Sequence, residues 1–205
     1  MLERSLHVQG TAAALLPGLK QTPATASFRL GRFTVPGCAP ILGAGTGCDA
    51  NNDIVFGFLK SSHPDVVLLH AMWDRTHNLE RLGATIEQLK ALKIRRIVVL
   101  GPAPLWKRTL PMAMMNTYRL THVIADRIAA GVTGAGRDEQ MQAFSQVHGV
   151  EYVSAWQELC DREGCVTRVG PTAQDVITTD IVHLSNAGST LLVGKIEGRL
   201  FPPKK

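Results

Sequence analysis

Two short runs of apolar residues mark the middle of the chain. They cover residues 66–69 and 97–100 and consist of valine, leucine and isoleucine without a polar interruption. Such runs are typical of strands that are buried on both faces of a parallel sheet. Turn-forming residues bound them, with Pro64-Asp65 before the first run and Gly101-Pro102 after the second. We therefore predict two buried strands of a parallel sheet.

A third stretch, residues 77–93, has apolar residues three or four positions apart, as on one face of an amphipathic helix. These residues are Leu79, Leu82, Ile86, Leu89 and Leu92. Weaker patterns predict further helices over 12–19, 51–60, 111–130, 138–148 and 186–199, and further strands over 5–8, 28–35 and 150–153. Asn51 or Asn52 is expected to cap the helix over 51–60.

The alternation of apolar strands with helices indicates the fold class. It predicts an α/β protein, a three-layer α/β/α sandwich with a central parallel sheet of the flavodoxin-like type. We see no linker and no internal repeat, so we expect a single domain over residues 1–205. In such folds the reactive loops gather at the carboxyl ends of the strands.

The composition fits an ordinary globular protein. Of the 205 residues, 45% are hydrophobic and 19% are charged, which excludes a disordered or fibrous chain. The formal net charge is only +5, and the lysines and arginines are scattered without aromatic residues between them. A nucleic-acid partner is therefore not expected.

The N-terminus lacks the pattern of a secretory signal peptide. Its apolar stretch over 12–16 is followed at once by Pro17, Gly18 and Lys20, which end it too early. No uninterrupted apolar run approaches the roughly twenty residues that a membrane span needs. We expect neither a signal peptide nor a membrane helix within these residues.

The four cysteines form two local pairs, Cys38 with Cys48 and Cys160 with Cys165. Two such pairs favour structural disulfides and hence an oxidising compartment. A zinc site is the alternative, but neither pair has the C-x-x-C spacing and no histidine lies close by. Disulfides without a signal peptide would mean that the segment is exported as part of a longer protein, or that it is a shortened form of one.

The segment around Asp180 and His183 carries the first candidate chemistry. Histidine exchanges a proton near neutral pH, and a nearby carboxylate fixes its tautomer and stabilises its charged form. The two residues are three positions apart, so one loop can present both to one site. The nucleophile must then come from another part of the chain. A solvated loop with no function is the alternative interpretation of this spacing.

Several segments together resemble the SGNH-type esterase domain that is fused to acyltransferase-3 membrane O-acetylases. The resemblance covers nearly the whole chain, in the order of the family. Its segments are Ala12-Ala13-Ala14-Leu15-Leu16-Pro17-Gly18-Leu19, Pro36-Gly37-Cys38-Ala39-Pro40 with Cys48, Pro64-Asp65 through Trp73, Leu100-Gly101-Pro102-Ala103-Pro104, Leu159-Cys160-Asp161 to Cys165, and Asp180-x-x-His183-Leu184-Ser185 with Gly188.

The resemblance implies a periplasmic domain that works beside a membrane acyltransferase portion, which belongs to the same or to a neighbouring chain. If it belongs to the same chain, it tethers the domain to the inner membrane. Its reaction is acyl transfer from an acyl donor to a glycan acceptor of the cell envelope, such as lipopolysaccharide or peptidoglycan, without a metal or other cofactor. A serine attacks the acyl carbonyl, a histidine takes its proton, and backbone donors hold the oxyanion. By position, His183 would be the base and Asp180 its orienting partner.

The nucleophile block departs from the family pattern. Where Gly-Asp-Ser-His is expected, the chain has Val8-Gln9-Gly10-Thr11, which puts Gly10 at the position of the serine. A shift by one residue would offer the hydroxyl of Thr11 as a hindered substitute. The chain could also be a naturally inactive relative or the product of an altered reading frame. In either case the site could still bind ligands that it no longer turns over.

Two further residues are candidates by position. Gly37 could donate its backbone N–H to an oxyanion, but a turn that needs a glycine explains it equally well. Trp73 could wall an acceptor sugar or lie in the core. Our first hypothesis is thus an SGNH-like O-acyltransferase domain with an altered nucleophile. The alternatives are a non-catalytic glycan-binding or interaction domain of the same fold, and an independent acetylesterase that uses Thr11.

Overall fold

In the described part of the chain, five parallel strands form the central sheet, in the spatial order β2-β1-β3-β4-β8. Their bounds are β1 Arg4–Gly10, β2 Phe28–Phe33, β3 Val66–His70, β4 Arg96–Leu100 and β8 Glu151–Val153. This computed structural model describes residues 4–23, 28–73 and 78–202, with the backbone alone for 4–12. Every side chain of β3 is buried, and in β4 only Arg96 is partly exposed. The two apolar runs are therefore the central strands that the sequence predicts.

Helices cover both faces of the sheet. Their bounds are α1 Leu16–Gln21, α2 Asp49–Ser62, α3 Leu79–Ala91, α4 Leu110–Thr121, α5 Ala135–Val147, α6 Ala155–Leu159 and α7 Asn186–Leu200, with 3-10 helices at Thr11–Leu15 and Ala173–Asp175. Residues of α1, α6 and α7 pack with Leu68 and Val98 on one face, whereas α2, α3 and α5 pack with Leu69 and Val99 on the other. The predicted three-layer α/β/α fold is confirmed.

Short antiparallel strands lie outside the central sheet, and the sequence patterns did not predict them. Strands β5 Leu105–Trp106 and β7 Val132–Thr133 pair with each other. A second small sheet has the order β6-β10-β9, with β6 Arg127–Ile128, β9 Cys160–Asp161 and β10 Gly164–Val166. Strands of two or three residues are too short to show a period.

Some predicted details of the elements differ from the structure. The helix expected over 111–130 ends at Thr121, because His122 adopts a left-handed conformation with φ of 58° and the chain then enters β6. The first helix begins as a 3-10 turn at Thr11. Neither candidate asparagine caps α2, which starts after Cys48; Asn52 instead donates its side-chain amide to the carbonyls of Ala39 and Ile41 at 3.0 and 2.8 Å.

Both predicted disulfides are present, Cys38–Cys48 and Cys160–Cys165. The first closes the loop between β2 and α2, which Asn52 also holds. The second joins directly opposed residues of β9 and β10. Each bond thus fixes a loop segment that leads into a helix or a short sheet.

The carboxyl ends of the central strands lie together at one edge of the sheet. Gly10, the last residue of β1, is in register with His70, the last residue of β3. His70 is in turn in register with Leu100, the last residue of β4. Paired residues of neighbouring parallel strands direct their Cβ atoms to the same face of the sheet. This edge is where a parallel α/β fold places its ligands.

Candidate active site

The loop before α7 holds Asp180 and His183 in direct contact. The Nδ1–H group of His183 donates to Oδ2 of Asp180 at 2.6 Å, since a carboxylate oxygen only accepts. The other carboxylate oxygen accepts the backbone N–H groups of Val182 at 2.8 Å and of His183 at 2.7 Å. One carboxylate therefore fixes both the imidazole and the loop that carries it. The two side chains are thus in contact, while their catalytic role stays a prediction.

Backbone hydrogen bonds attach this loop to the elements around it. The carbonyl of Asp180 accepts from Leu110 N at 2.9 Å, and the carbonyl of Ile181 accepts from Trp106 N at 2.8 Å. At the other end, Ser185 caps α7 by accepting from Gly188 N at 3.1 Å. The start of α4, the strand β5 and the start of α7 thus hold the loop in place.

The charge state of Asp180 suits its contact with His183. Partial burial raises the pKa of Asp180, but hydrogen bonds from Val182 N, from the His183 ring and from His183 N lower the pKa further, so it lies below its usual range. The carboxylate is therefore ionised at neutral pH and stabilises a proton on the imidazole. With Nδ1 as the donor, Nε2 of neutral His183 is free to accept a proton. The His183 side chain is 64% exposed, so a substrate can reach it.

His183 lines a small cavity at the edge of the sheet. The cavity has a volume of about 20 Å³, which is the size of about one water molecule. Its lining comes from the 3-10 helix, the ends of β3 and β4, and the Asp180–His183 loop. The lining residues are Ala14, His70, Met72, Ala103, Val182, His183 and Leu184. The loop therefore faces the carboxyl ends of the central strands.

Among the described lining residues of this cavity, His70 is the second titratable one, and the sequence patterns did not single it out. Its side chain is only 7% exposed, and its Nδ1 donates to the carbonyl of Leu100 at 3.3 Å. Burial lowers the pKa of His70 from 6.5 to about 4, although the hydrogen bond with Leu100 raises it. The imidazole is therefore neutral at physiological pH. The one available signal was its position, directly after the buried run of β3.

A larger cavity of about 240 Å³ lies next to the small one. Met72, Ala103 and Val182 line both cavities, which places them side by side. The larger one is also lined by Leu105, Thr133 and Arg137, so it offers apolar surface, a hydroxyl group and a guanidinium group. Its volume lies below the roughly 300–1,000 Å³ of pockets for drug-sized ligands.

Gly10 and Thr11 stand where strand β1 passes into the 3-10 helix. Through its register with His70, the backbone of Gly10 lies at the same edge of the sheet as the small cavity. A glycine offers no nucleophilic side chain there. The side chain of Thr11 lies outside the described part of the chain, so its role as a substitute nucleophile stays a prediction.

Two other candidate residues have structural surroundings that account for them. Trp73 does not wall a sugar site: its side chain is fully buried in the core, and its Nε1–H donates to the carbonyl of Leu100 at 2.8 Å. Gly37 lies at the exposed turn closed by the hydrogen bond from Cys38 N to Val35 O at 3.1 Å. Its φ of 74° requires a glycine at that turn position. Its role as an oxyanion donor stays untested.

A comparison with protein-family models shows which family the chain belongs to. The model described as SGNH domain (fused to AT3 domains) matches residues 11–198. The chain belongs to this SGNH family. The match begins at Thr11, so Gly10 and the residues before it lie outside the matched region. The predicted family is thereby confirmed, while the altered nucleophile block stays a prediction. No curated protein sequence is significantly similar to it.

Solved structures similar to this SGNH domain include a lipopolysaccharide acetyltransferase periplasmic domain from Salmonella ser. Paratyphi A. The two chains are 24% identical with a TM-score of 0.88, over 97% of this chain and 84% of the other. An aryl esterase from M. smegmatis has 10% identity and a TM-score of 0.59, over 96% and 98%. A putative acylhydrolase from Bacteroides fragilis has 12% identity and a TM-score of 0.53, over 97% and 88%. At these identities the similarity shows the fold.

Within its described residues, the SGNH domain has no helix that is long and apolar enough to cross a membrane. Fusion to AT3 domains is part of the description of the family. A membrane acyltransferase unit is therefore the partner that the family indicates. Neither the acyl donor nor the acceptor follows from the family description.

Proposed function

We propose that this SGNH domain transfers an acyl group to a sugar hydroxyl of a cell-envelope glycan, beside a membrane acyltransferase unit of the AT3 type. The observation that carries the proposal is the contact between Asp180 and His183, at 2.6 Å, on the wall of a cavity at the carboxyl edge of the sheet. This is the arrangement of a general base with its orienting carboxylate. The similar Salmonella domain is described as part of a lipopolysaccharide acetyltransferase, which supports an envelope glycan as the acceptor and the periplasm as the location.

Gly10 offers no nucleophilic hydroxyl, so we propose that the acyl group passes directly to the acceptor, without a covalent acyl-protein intermediate. Nε2 of His183 removes the proton of the sugar hydroxyl as the oxygen attacks the acyl carbonyl. The proton then passes from His183 to the leaving group of the donor, which departs as an alcohol or thiol. The ionised Asp180 stabilises the imidazolium that forms between these events. The backbone N–H groups at the start of the 3-10 helix are candidate donors to the oxyanion.

A transfer assay tests this proposal directly. The protein is mixed with p-nitrophenyl acetate and a de-O-acetylated lipopolysaccharide fragment, and acetylated glycan is measured by mass spectrometry. We expect product with the native chain and none above the uncatalysed level with His183→Ala. Lys60→Ala, at the exposed end of α2, is a control that leaves the site unchanged. Equal product from the native chain and His183→Ala would refute the role of the base.

Restoring the family block tests the alignment that puts Gly10 at the position of the serine. The variant Gln9→Asp, Gly10→Ser, Thr11→His is expected to hydrolyse p-nitrophenyl acetate through an acyl-serine intermediate. Adding His183→Ala to this variant should remove the activity, because serine and histidine act as a unit. A folded but inert restored variant would contradict the alignment. Thr11→Ala in the native chain tests the remaining hypothesis of a threonine nucleophile in the same assay.

A glycan-binding domain without turnover is the second candidate function. Gly10 favours this binding function, because the chain has no nucleophilic side chain at that position. The neighbouring cavity of about 240 Å³ is then the proposed place for a sugar. Binding of glycan fragments, followed by NMR shifts of the native chain, would then occur without any acetylated product. Arg137→Lys, which alters the cavity wall and keeps the charge, should change the affinity. Transfer activity that depends on His183 would exclude this candidate.

A further inference from the structure

His70 has an acceptor atom that no described residue uses. A carbonyl oxygen only accepts hydrogen bonds, so the contact with Leu100 makes Nδ1 the protonated nitrogen of the ring. Nε2 is then an unprotonated acceptor, and within the described part of the chain it has no hydrogen-bond partner. Within the described residues, the only fully buried polar side-chain atom that lacks a hydrogen-bond partner is Nε1 of Trp106, so Nε2 of His70 is not sealed from solvent. A hydrogen-bond donor on a ligand or a water molecule can therefore reach it.

His183 is in the same tautomeric state. Its Nδ1 donates to Asp180, so Nε2 of neutral His183 is also an acceptor. Both residues line the one cavity of about 20 Å³. This volume is that of about one water molecule. A sugar hydroxyl carries one hydrogen and can satisfy one of the two acceptors, whereas a water molecule carries two and can satisfy both.

We propose that His70 and His183 together hold a nucleophilic water molecule beside Gly10, which gives the domain a second activity, the serine-independent hydrolysis of O-acyl esters. The inference rests on the proposed role of His183 as the base and adds a role for His70. The register of Gly10 with His70 places this water at the carboxyl ends of strands β1 and β3. Gly10 carries no side chain that could act as a competing nucleophile.

The step is balanced in atoms and protons. The water oxygen attacks the ester carbonyl carbon, and Nε2 of His183 takes one of its protons. His70 accepts the other hydrogen as a hydrogen bond and keeps a lone pair of the oxygen directed at the carbon. When the tetrahedral intermediate breaks down, the proton on His183 passes to the leaving alkoxide. The products are a carboxylic acid and an alcohol, and no covalent acyl-protein forms.

Hydrolysis of p-nitrophenyl acetate without any glycan acceptor tests the inference. The native protein is compared with three variants: His183→Ala, His70→Phe, which fills the space but cannot accept a hydrogen bond, and His70→Gln, whose amide oxygen can replace Nε2. His63→Gln, at the exposed end of α2, controls for the loss of an imidazole. Circular dichroism and thermal unfolding establish that each variant is folded.

We expect His183→Ala to fall to the buffer rate and His70→Phe to lose at least about tenfold in kcat/KM. His70→Gln should recover part of that loss, and His63→Gln should equal the native protein. Intact-protein mass spectra taken during turnover should show no acetyl adduct.

Four results would overturn the inference. Native hydrolysis at the buffer rate excludes the activity itself. His70→Phe with native activity, in a protein where His183→Ala is inactive, excludes the role of His70 while leaving the proposed base intact. Hydrolysis that requires added Zn²⁺ and is abolished by EDTA would mean that the two imidazoles bind a metal ion instead of a water molecule. An acetyl adduct on the native protein would likewise contradict direct attack by water.

Discussion

Two histidines share one cavity, and their surroundings give them different properties. His183 is largely exposed and contacts an ionised carboxylate, whereas His70 is buried against the carbonyl of Leu100. A carboxylate favours the charged form of an imidazole, and burial favours the neutral form. His183 is therefore suited to carry a proton during a reaction. His70 is suited to accept a hydrogen bond without changing its charge.

The low pKa of His70 predicts a loss of stability in mild acid. Above pH 6.5 the imidazole is neutral in the folded and unfolded protein. As the pH falls from 6.5 to about 4, the unfolded chain binds a proton that the folded chain does not, so the free energy of unfolding decreases. At about 1.4 kcal/mol per pKa unit, we expect a decrease of about 2–3 kcal/mol between pH 7 and pH 4.5.

Urea unfolding at both pH values measures this decrease. The variant His70→Phe should lack this part of the pH dependence, while other groups contribute equally to both proteins. An identical pH dependence in the native protein and in His70→Phe would show that His70 titrates normally.

Asp180 should matter for the rate more than for the fold. In the serine-restored variant, Asp180→Asn removes the charge that stabilises the protonated form of His183 and disturbs its tautomer. We expect kcat for p-nitrophenyl acetate to fall by about 10²–10⁴, within the range of general-base effects. Asp161→Asn, on β9 and distant in sequence from the dyad, serves as the control. A loss of less than about threefold would show that Asp180 does not act through His183.

The sequence contained the dyad because its two members lie on one loop. Asp180 and His183 are three residues apart, and the local backbone alone brings them together. His70 was not predictable in this way, since its role depends on the register of β3 with β1 and on burial by other elements. For Trp73 the sequence suggested a role that the structure does not support. Its position near a strand end suggested contact with a sugar, but its side chain packs into the core.

Helix α7 approaches its neighbours through glycines and a serine. A Cβ atom on Gly188 would lie 2.1 Å from the carbonyl oxygen of Ile177, and one on Gly18 would lie 2.4 Å from the carbonyl oxygen of Ser189. The Ser189 hydroxyl accepts from Gly18 N at 2.9 Å. Helices α1 and α7 therefore pack almost backbone to backbone. This packing also fixes the segment that leads into the Asp180–His183 loop.

A pair of glycine variants on this one helix tests the packing. Gly188→Ala forces α7 away from Ile177, and we expect it to lower the free energy of unfolding by more than about 2 kcal/mol. Gly194→Ala meets no atom within 4 Å, so it should raise stability by about 0.5–1 kcal/mol through helix propensity. Urea unfolding of both variants provides the comparison. Equal effects of the two substitutions would contradict the close approach.

The sequence correctly predicted those strands and helices whose apolar residues follow a clear pattern. The buried runs of β3 and β4 and the amphipathic α3 matched the prediction because their packing environment is uniform over several residues. The end of α4 did not match, since the apolar pattern continues past Thr121 on exposed residues such as Val123 and Ile124. Exposed apolar residues imitate a helical period without the burial that normally explains it.

The two disulfides make the stability of the whole molecule depend on whether its compartment is oxidising. The Cys38–Cys48 bond closes a loop with a separation of 10 residues, and loop-closure entropy gives it about 2–3 kcal/mol of stabilisation. The Cys160–Cys165 bond has a separation of 5 and joins strands that already pair, so it contributes less. For a chain of this size, about 1 kcal/mol corresponds to roughly 2–4 °C in melting temperature. Formation of the Cys38–Cys48 bond alone should therefore raise the melting temperature by about 5–10 °C.

Protein directed to an oxidising compartment should therefore have a higher melting temperature than protein retained in the cytosol. Thiol titration in denaturant should find no free thiol in the first preparation and four after reduction, and dithiothreitol should lower its melting temperature by at least about 5 °C. The variant Cys38→Ser, Cys48→Ser should start from a lower melting temperature and respond less to reductant, because only the shorter loop remains to be opened. Four free thiols in protein from the oxidising compartment would contradict a periplasmic role. A dithiothreitol effect as large in the double variant as in the native chain would instead assign the stabilisation to Cys160–Cys165, against the loop-length argument.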